Sequence, residues 1–409
     1  MRILILTDSY PPETRSSSHL MKEMADGLRE RGHEVFIVTS LPAVHANEHV
    51  LPNVSREDGI SVIRVRVLPH HNVGFILKGV SQLLLPFLFF HQAKKHIKGK
   101  LDIVWVHSPP LPLTITAQLV KKSYGAKYFL NLHDFFPQNA IDLGILRNGP
   151  LIRFFQNMER RAYANSDVIV TPSEAHKRFM HEKRGVPLEK IHVVPHWIDV
   201  GPFEKAERTG RFRTLYGLEG KFIFVFGGVL GPSQGLDLFI RIAEKMREHK
   251  DITFLFVGEG SEKKRLMDIV RDRGLDNVIF KPFVSKEEYP LLLKDADVGI
   301  LSLTNANTTP AVPAKLVGYM AASLPVLAFL HEGSEGIGIV RDSHCGCAAV
   351  SNDEAQMLAC TEKMYKERES FGVYGTNGFR YVLRYFAKDV CLNKIQELFS
   401  MAILWQKKS

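Results

Sequence analysis

Cysteine is scarce in this chain of 409 residues: there are only 4, all in the last sixth of the sequence, at Cys345, Cys347, Cys360 and Cys391. So few cysteines do not make a disulfide scaffold, and their spacing is not that of zinc ligands. We therefore expect a protein of a reducing compartment. Cys345 and Cys347 are expected to lie in a buried loop without metal or redox chemistry.

A secretory leader and a nucleic-acid-binding motif are lacking as well. The apolar run 3–6 is too short for a signal peptide, and no cleavage-site pattern follows it, which indicates a cytoplasmic protein. Aromatic residues do not interleave with a basic stripe, although the net charge is +9. This charge indicates an anionic partner. A phosphorylated ligand or an anionic membrane surface is favoured over nucleic acid.

The chain is long enough for two folded domains. Hydrophobic residues make up 45% and charged residues 24%, which is typical of a globular protein, and 409 residues exceed what one core usually holds. Short buried-type strands alternate with amphipathic helices from residue 3 to about 170, and the same alternation restarts after the polar stretch 202–220. This pattern predicts two doubly wound parallel sheets of the α/β class. Ligands are expected at the carboxyl ends of the strands.

The segment 73–90 is strongly apolar and is followed by the basic segment 91–100. Such a pair is typical of a segment that lies at a membrane surface, with apolar side chains at the acyl boundary and lysines at anionic headgroups. Ordinary core packing is the alternative, and a membrane span is disfavoured because Lys78 and Gln82 would be unpaired in hydrocarbon. The residues predicted to face the membrane are Phe75, Ile76, Leu83, Leu84, Phe87, Leu88, Phe89, Phe90, Lys94 and Lys95.

Seven segments together resemble a known family. They are RILILTDSYPPETRSSSHLMKEMADGLRERGHEVFIVTS (2–40), NLHDFFP (131–137), RRAYANSDVIVTPSE (160–174), VVPHWID (193–199), FVFGGVLGPSQGLDLFI (224–240), FLFVGEG (254–260) and VPAKLVGYMAASLPVLA (312–328). The chain resembles the retaining GT-B glycosyltransferases of family four, and its GPSQG and VPAKL runs are similar to those of bacterial surface-polysaccharide transferases that add N-acetyl-fucosamine in O-antigen synthesis.

The resemblance implies a particular architecture. Two Rossmann-like domains face each other across a cleft, and the last helices cross back to the first domain. Residues 1–200 with about 385–409 form the acceptor-binding, membrane-facing domain, and residues 201–384 bind the nucleotide-sugar.

Catalytic residues follow from the resemblance too. A histidine at the place of His133 reaches the donor sugar or an acceptor hydroxyl, and Asp134 is expected to orient it or to bind the acceptor. Ser16, Ser17 and Ser18, in the loop entering the first helix, stand where the family has glycines. Hydroxyls and amides there suit a phosphate or a hydroxylated ligand, although an N-cap role is the simpler alternative.

At the donor site, this sequence departs from the usual pattern of the family. An arginine and a lysine that normally neutralise the leaving phosphates correspond to Gly228 and Gln234, and two glutamates that normally bind donor hydroxyls correspond to Pro310 and Gly318. Lys315, at a helix start, is expected to supply the missing positive charge. The residues expected to bind the donor are Gly228, Gln234, Gly258, Glu259, Phe283, Val284, Asn307, Thr309, Pro313, Ala314 and Lys315.

The implied reaction moves a sugar from a nucleoside-diphosphate sugar, with UDP preferred, to a lipid-linked saccharide with retention of configuration. The leaving phosphate accepts the acceptor proton, so the paired carboxylates of a glycosidase are not needed. No Asp-x-Asp motif is present, and we expect neither a metal nor another cofactor. Two alternatives remain: a GT-B sugar-nucleotide epimerase, and a catalytically weak GT-B partner subunit. The expected location is the cytoplasmic face of the membrane.

Overall fold

A computed structural model of the protein describes residues 1–13, 16–42, 51–67, 75–142, 144–304 and 312–406, without the side chains of 16, 75–82, 405 and 406. The chain divides into two compact units. The first comprises Met1–His196 with Cys391–Ser409, and the second comprises Trp197–Val390. Both are α/β units with Rossmann-like sheets.

The first unit is built on an 8-stranded sheet. Its strands are β1 (Arg2–Leu6), β2 (Glu34–Ser40), β3 (Val54–Glu57), β4 (Ile60–Val65), β5 (Ile103–Ser108), β6 (Lys127–Leu132), β7 (Val168–Thr171) and β8 (Ile191–Val193). They lie in the order β3-β4-β2-β1-β5-β6-β7-β8, all parallel except the edge strand β3. Most are buried along their whole length because helices cover both faces of the sheet.

Six helices surround this sheet before the chain leaves the first unit. They are α1 (Ser16–Glu30), α2 (Phe75–His96), α3 (Leu113–Tyr124), α4 (Gln138–Asp142), α5 (Gly149–Asn165) and α6 (Glu174–Arg184). Local chemistry sets several of their ends. Ser173 caps α6 by accepting a hydrogen bond from the amide of His176, and Gly185 ends the helix in a left-handed conformation.

Helix α2 corrects part of the membrane prediction. Leu85, Phe89, Ala93 and Ile97, four residues apart, are buried in the core of the first unit. Phe89 was predicted to face the membrane, and this is wrong, because its side chain is 0% exposed. Phe90 is half-buried against the same core. Spacing of four places one residue per turn on a single face, and that face packs on the sheet.

The opposite face of α2 is open to solvent. Leu83, Leu84, Phe87 and Leu88 are exposed apolar side chains, with Phe87 at 59%. Lys94 and Lys95 are also exposed at the end of the helix, where cations suit the helix dipole. The side chains of Phe75 and Ile76 lie outside the described residues. Within the described ranges, no helix is both long and apolar enough to span a bilayer.

The second unit is built on a 6-stranded parallel sheet in the order β11-β10-β9-β12-β13-β14. Its strands are β9 (Phe222–Gly227), β10 (Ile252–Val257), β11 (Val278–Lys281), β12 (Val298–Ser302), β13 (Val326–Leu330) and β14 (Gly346–Val350). Its helices are α7 (Gly201–Lys205), α8 (Arg211–Tyr216), α9 (Asp237–Lys245), α10 (Lys263–Asp272), α11 (Tyr289–Asp295), α12 (Ala314–Ala321), α13 (Glu335–Ser343), α14 (Glu354–Lys366) and α15 (Phe371–Tyr385). Two apolar clusters, one on each face of the sheet, form the core.

The last helix, α16 (Lys388–Gln406), belongs to the first unit from Cys391 onward. Phe399 is fully buried, and its ring meets Trp105 of β5 at 5.9 Å and Phe129 of β6 at 4.8 Å between centroids, edge to face in both cases. The tail of the chain is therefore part of the first core, as the GT-B resemblance implies.

The cysteines differ from the expectation. Cys347 in β14 is disulfide-bonded to Cys360 in α14, with 5.7 Å between their Cα atoms. The prediction that Cys347 lies in a loop without redox chemistry is therefore wrong, because α14 packs directly on the strand that precedes it. Cys345 and Cys391 are buried thiols outside this disulfide.

Candidate functional site

Each sheet has a point where the strand order reverses, and functional groups gather there. In the first sheet the reversal lies between β1 and β5, and in the second between β9 and β12. The loops that leave the carboxyl ends of two such strands run to opposite faces of the sheet, which opens a crevice for ligands.

In the first unit, the carboxyl ends of β5 and β6 place histidines side by side. His133 is the first residue after β6, and its amide donates to the carbonyl of Ser108 at 2.9 Å. Its ring lies 4.3 Å from the ring of His107 and 4.0 Å from that of His196, nearly parallel to the latter at 22°. His176 of α6 hydrogen-bonds the backbone of His133. We call His107, His133, His176 and His196 the histidine cluster.

Every member of the histidine cluster is uncharged at neutral pH. Burial, with a smaller repulsion from His196, lowers the pKa of His107 to about 3. Burial likewise lowers the pKa of His176 and of His196 to about 4. Burial, followed by repulsion from His196, His107 and His176, holds the pKa of His133 well below its usual range. The cluster therefore offers neutral imidazoles, which can donate or accept a hydrogen bond but carry no charge.

His133, which was predicted to be catalytic, thus has partners that the sequence did not reveal. Asp134, predicted to orient it, follows in the chain with an exposed side chain. The groups that surround His133 are the other three histidines, supplied by β5, by α6 and by the segment after β8. Only His107 could have been inferred, since it lies at the end of a predicted strand.

The three serines lie in the first turn of α1 rather than in a loop. Ser18 is 0% exposed, on the helix face that also buries Met21 and Ala25, so a ligand-contacting role is contradicted for it. Its hydroxyl has no hydrogen-bond partner among the described residues. Ser17 is half-buried, and the side chain of Ser16 lies outside the description.

In the second unit, Lys315 lies where the resemblance led us to expect a charge. Its Nζ donates to Oε1 of Gln234 at 2.9 Å and lies 4.8 Å above the ring of Phe226. A Cβ atom on Gly228 would be only 2.6 Å from Cε of Lys315, so this side chain occupies the space next to that glycine. Burial lowers the pKa of Lys315 to about 8. The two positions that carry basic residues in the family thus converge on one amine.

The loops after β9 and β10 are packed backbone to backbone. A Cβ on Gly258 would be 1.9 Å from the carbonyl oxygen of Gly228, and one on Gly260 would be 2.2 Å from that of Leu230. Leu230 donates its amide to the carbonyl of Glu259 at 2.8 Å. Any side chain at either glycine would separate the loops, so glycine is required at both positions.

Other residues predicted for the donor are spread around this point. The carboxylate of Glu259 is exposed and pairs with Lys263 at 2.6 Å. Phe283 is 50% exposed after β11, whereas Val284 packs against the core. Asn307 and Thr309, together with Pro310, lie outside the described residues.

Helix α12 presents its first residues beside the same loops. Pro313 is its N-cap and Ala314, the first helical residue, is exposed. Gly318, the second position where the family has glutamate, is buried, and a Cβ there would meet the ring of Tyr289 at 3.9 Å. This is an ordinary van der Waals contact, so the backbone at Gly318 leaves room for a Cβ atom.

Across the described part of the chain, no group of three or more histidine, cysteine or carboxylate side chains is arranged to hold a metal ion. The histidine cluster is therefore not a metal-ligand set. The expectation of a reaction without metal or cofactor stays a prediction.

Two family models match the chain. The model described as "Glycosyl transferase 4-like domain" matches residues 19–197, and the model described as "Glycosyl transferases group 1" matches residues 212–379. Between them they cover both units and both crevices. The chain belongs to the GT-B glycosyltransferases of family four. The glycosyltransferase resemblance and the fold predicted from it are confirmed.

Individual relatives have low sequence identity to this glycosyltransferase but align with most of its length. A putative colanic acid biosynthesis glycosyl transferase, WcaI of Escherichia coli (strain K12), is 26% identical over 78% of this chain and 81% of its own. The probable glycosyltransferase WbjE of Pseudomonas aeruginosa is 22% identical over 89% of each chain. The crystal structure of Anabaena Alr3699/HepE in complex with UDP has a TM-score of 0.73 and 15% identity, covering 98% of this chain and 100% of that one.

Proposed function

We propose that this glycosyltransferase moves a sugar from a UDP-sugar to a lipid-linked saccharide during synthesis of a cell-surface polysaccharide, with retention of configuration and without a metal ion. The named relatives support the pathway, since one is described as acting in colanic acid biosynthesis. The solved structures of HepE with UDP and with UDP-glucose support the donor. Retention is typical of family-four enzymes.

The observation that carries the proposal is the position of Lys315. When the bond between the sugar C1 and the phosphate oxygen breaks, negative charge develops on the departing diphosphate. A buried cation next to backbone amides stabilises that charge more strongly than it would in water. The amine of Lys315, between Gly228 and Gln234, stands where the family places its basic pair.

The steps conserve atoms and charge as follows. The C1–O bond to the diphosphate breaks, and the acceptor hydroxyl oxygen forms the new bond to C1 on the same face. The acceptor proton passes to an oxygen of the leaving phosphate. His133, a neutral imidazole, hydrogen-bonds a sugar hydroxyl and orients it without adding charge to the site.

The acceptor class is inferred from α2. Its exposed face combines the apolar side chains of Leu84, Phe87 and Leu88 with the cations of Lys94 and Lys95 at the end of the helix. Fully burying one such apolar side chain is worth about 1.5–3 kcal/mol, and each lysine near an anionic surface adds about 1 kcal/mol. We therefore place the enzyme peripherally on the cytoplasmic face of a membrane, where a polyprenyl-linked acceptor is accessible.

A panel of nucleoside diphosphates tests the donor. UDP, GDP and ADP are each added to the purified protein, and its melting temperature is recorded. A ligand of the native state at 100 times its Kd stabilises by about 2.7 kcal/mol, which is a shift of several degrees. We expect UDP alone to give this shift. A shift with GDP or ADP alone would overturn the choice of base.

The missing glutamates favour a second candidate function, a GT-B partner subunit with little catalytic activity. Gly318 offers no carboxylate to the donor. The same panel separates the two: a folded sample that none of the three diphosphates stabilises supports the partner subunit and contradicts the transferase.

A further inference from the structure

The stack of rings in the first unit points to a residue whose role the glycosyltransferase resemblance does not assign. His196 lies against one face of His133, with 4.0 Å between ring centroids and 22° between the planes. His107 meets the same ring at 4.3 Å and 62°, edge to face. With two rings packed against it, the imidazole of His133 is restricted in its rotation about the Cβ–Cγ bond.

The polar surroundings of the two neighbouring rings favour their neutral forms. Nδ1 of His107 lies 3.3 Å from Nδ2, the side-chain nitrogen of Asn131, and this nitrogen can only donate a hydrogen bond. His107 is therefore a neutral ring with its proton on Nε2. Nε2 of His196 is buried without a hydrogen-bond partner in the described part of the chain, so a second proton on that ring would leave a charge unpaired.

We propose that His196 is a positioning residue, whose ring covers one face of His133 and keeps that imidazole neutral and fixed in orientation toward a sugar hydroxyl. The proposal rests on the catalytic role given to His133 above. A stacked aromatic pair contributes about 0.5–1.5 kcal/mol, which is enough to favour one rotamer by roughly twofold to twelvefold. His107 and His176 complete the enclosure from β5 and α6.

Two substitutions of His196 distinguish the effect of its aromatic face from the effect of its ring nitrogens. His196→Phe keeps an aromatic face and removes the unpartnered nitrogen, whereas His196→Ala removes the face. In His196→Ala, water reaches His133 and one repulsive neighbour is lost, so the pKa of His133 should rise toward its ordinary range. In His196→Phe the burial of His133 is retained. His192→Ala is the matched control, since His192 is half-buried on β8 but is not among the groups that influence His133.

The measurement is a pH titration of the histidine ring signals by nuclear magnetic resonance, with the signal of His133 assigned through His133→Gln. We expect its midpoint to rise by at least one pH unit in His196→Ala and by less than half a unit in His196→Phe and His192→Ala. Melting temperatures check that each variant folds, and His196→Asn replaces the alanine variant if it does not.

An unchanged midpoint in His196→Ala, or equal midpoints in the alanine and phenylalanine variants, would overturn the positioning role. The titration needs no substrate. Its result is therefore independent of whether UDP binds, and failure of the proposed function is recognised separately by the diphosphate panel.

Discussion

Replacing Lys315 by methionine should weaken UDP binding while leaving the free protein as stable as the wild type or more stable. Methionine has a similar length and keeps an apolar stem beside Gly228, so the change removes mainly the amine, with its hydrogen bond to Gln234 and its position above the ring of Phe226. Most substitutions that disturb a site lower both stability and binding. Opposite signs would therefore identify Lys315 as a charge held in place for a ligand.

The magnitudes follow from the geometry. A hydrogen bond to a charged group contributes about 1.5–3 kcal/mol, so loss of the amine should raise the Kd of UDP about 10- to 150-fold at pH 7. In the free protein, burial lowers the pKa of Lys315 from 10.5 to about 8. This difference corresponds to about 3 kcal/mol of unfavourable interaction in the charged form, so the free energy of unfolding should stay constant or rise by up to that amount.

The pH dependence has a definite sign. The folded-state pKa of Lys315 is depressed, so between pH 8 and 10.5 the unfolded state binds more protons and wild-type stability rises with pH. A bound diphosphate favours the protonated amine and raises its pKa. UDP affinity should therefore be full below about pH 8 and fall by up to tenfold per pH unit above it. In Lys315→Met, both the rise of stability with pH and the fall of UDP affinity with pH should be absent.

Isothermal titration calorimetry with UDP between pH 7 and 9.5, together with chemical denaturation, measures both quantities. Lys294→Met is the matched control, because Lys294 is also half-buried with a pKa lowered by burial, but lies on α11 just before the amino end of β12. It should bind UDP like the wild type. If Lys315→Met binds UDP within twofold of the wild type, with the same pH dependence, our reasoning on the leaving group is wrong.

Four further outcomes are expected. Gly228→Ala introduces a Cβ 2.6 Å from Cε of Lys315, at a φ of 143° that side chains rarely adopt, and calorimetry should show UDP binding at least about tenfold weaker. Phe89→Ala should lower the free energy of unfolding by about 3–5 kcal/mol in denaturant titrations, since the ring is fully buried. Phe87→Ser should change the free energy of unfolding by less than about 0.5 kcal/mol but reduce binding to phosphatidylglycerol vesicles, measured by flotation, about tenfold. Unchanged binding would contradict the proposal that this face of α2 contacts a membrane. Because burial holds the pKa of every member of the histidine cluster below its usual range, the transfer rate should not fall between pH 8 and 6 through loss of a neutral imidazole. A midpoint near 6.5 would contradict that assignment.

Much of the fold was predictable because its strands are continuous apolar runs between amphipathic helices. The burial of Phe89 was predictable as well: Leu85, Phe89, Ala93 and Ile97 recur every four residues, which indicates a buried helix face. The interpretation of the whole apolar run 73–90 as membrane-facing did not take this spacing into account. The edge strand β3 had no such signal, since its side chains are only partly buried.

The site was predictable in part. His133 and Lys315 follow from strand ends and helix starts, where ligands bind in parallel sheets. Apart from His107, which also lies at a strand end, the partners of each could not be inferred, because they depend on which strands neighbour each other and in what register. Gln234 is 81 residues from Lys315. His196 comes from a segment beyond β8, and nothing in its own neighbourhood marks it as a partner of His133.

The arrangement of Lys315 over Gly228 also constrains how this donor site could have arisen. An arginine at position 228 would have to displace the end of the Lys315 side chain, and the backbone there disfavours any side chain. Among homologous sequences, lysine at 315 with glutamine at 234 should therefore occur together with glycine at 228, and ancestral states with a basic residue at 228 should carry a different loop.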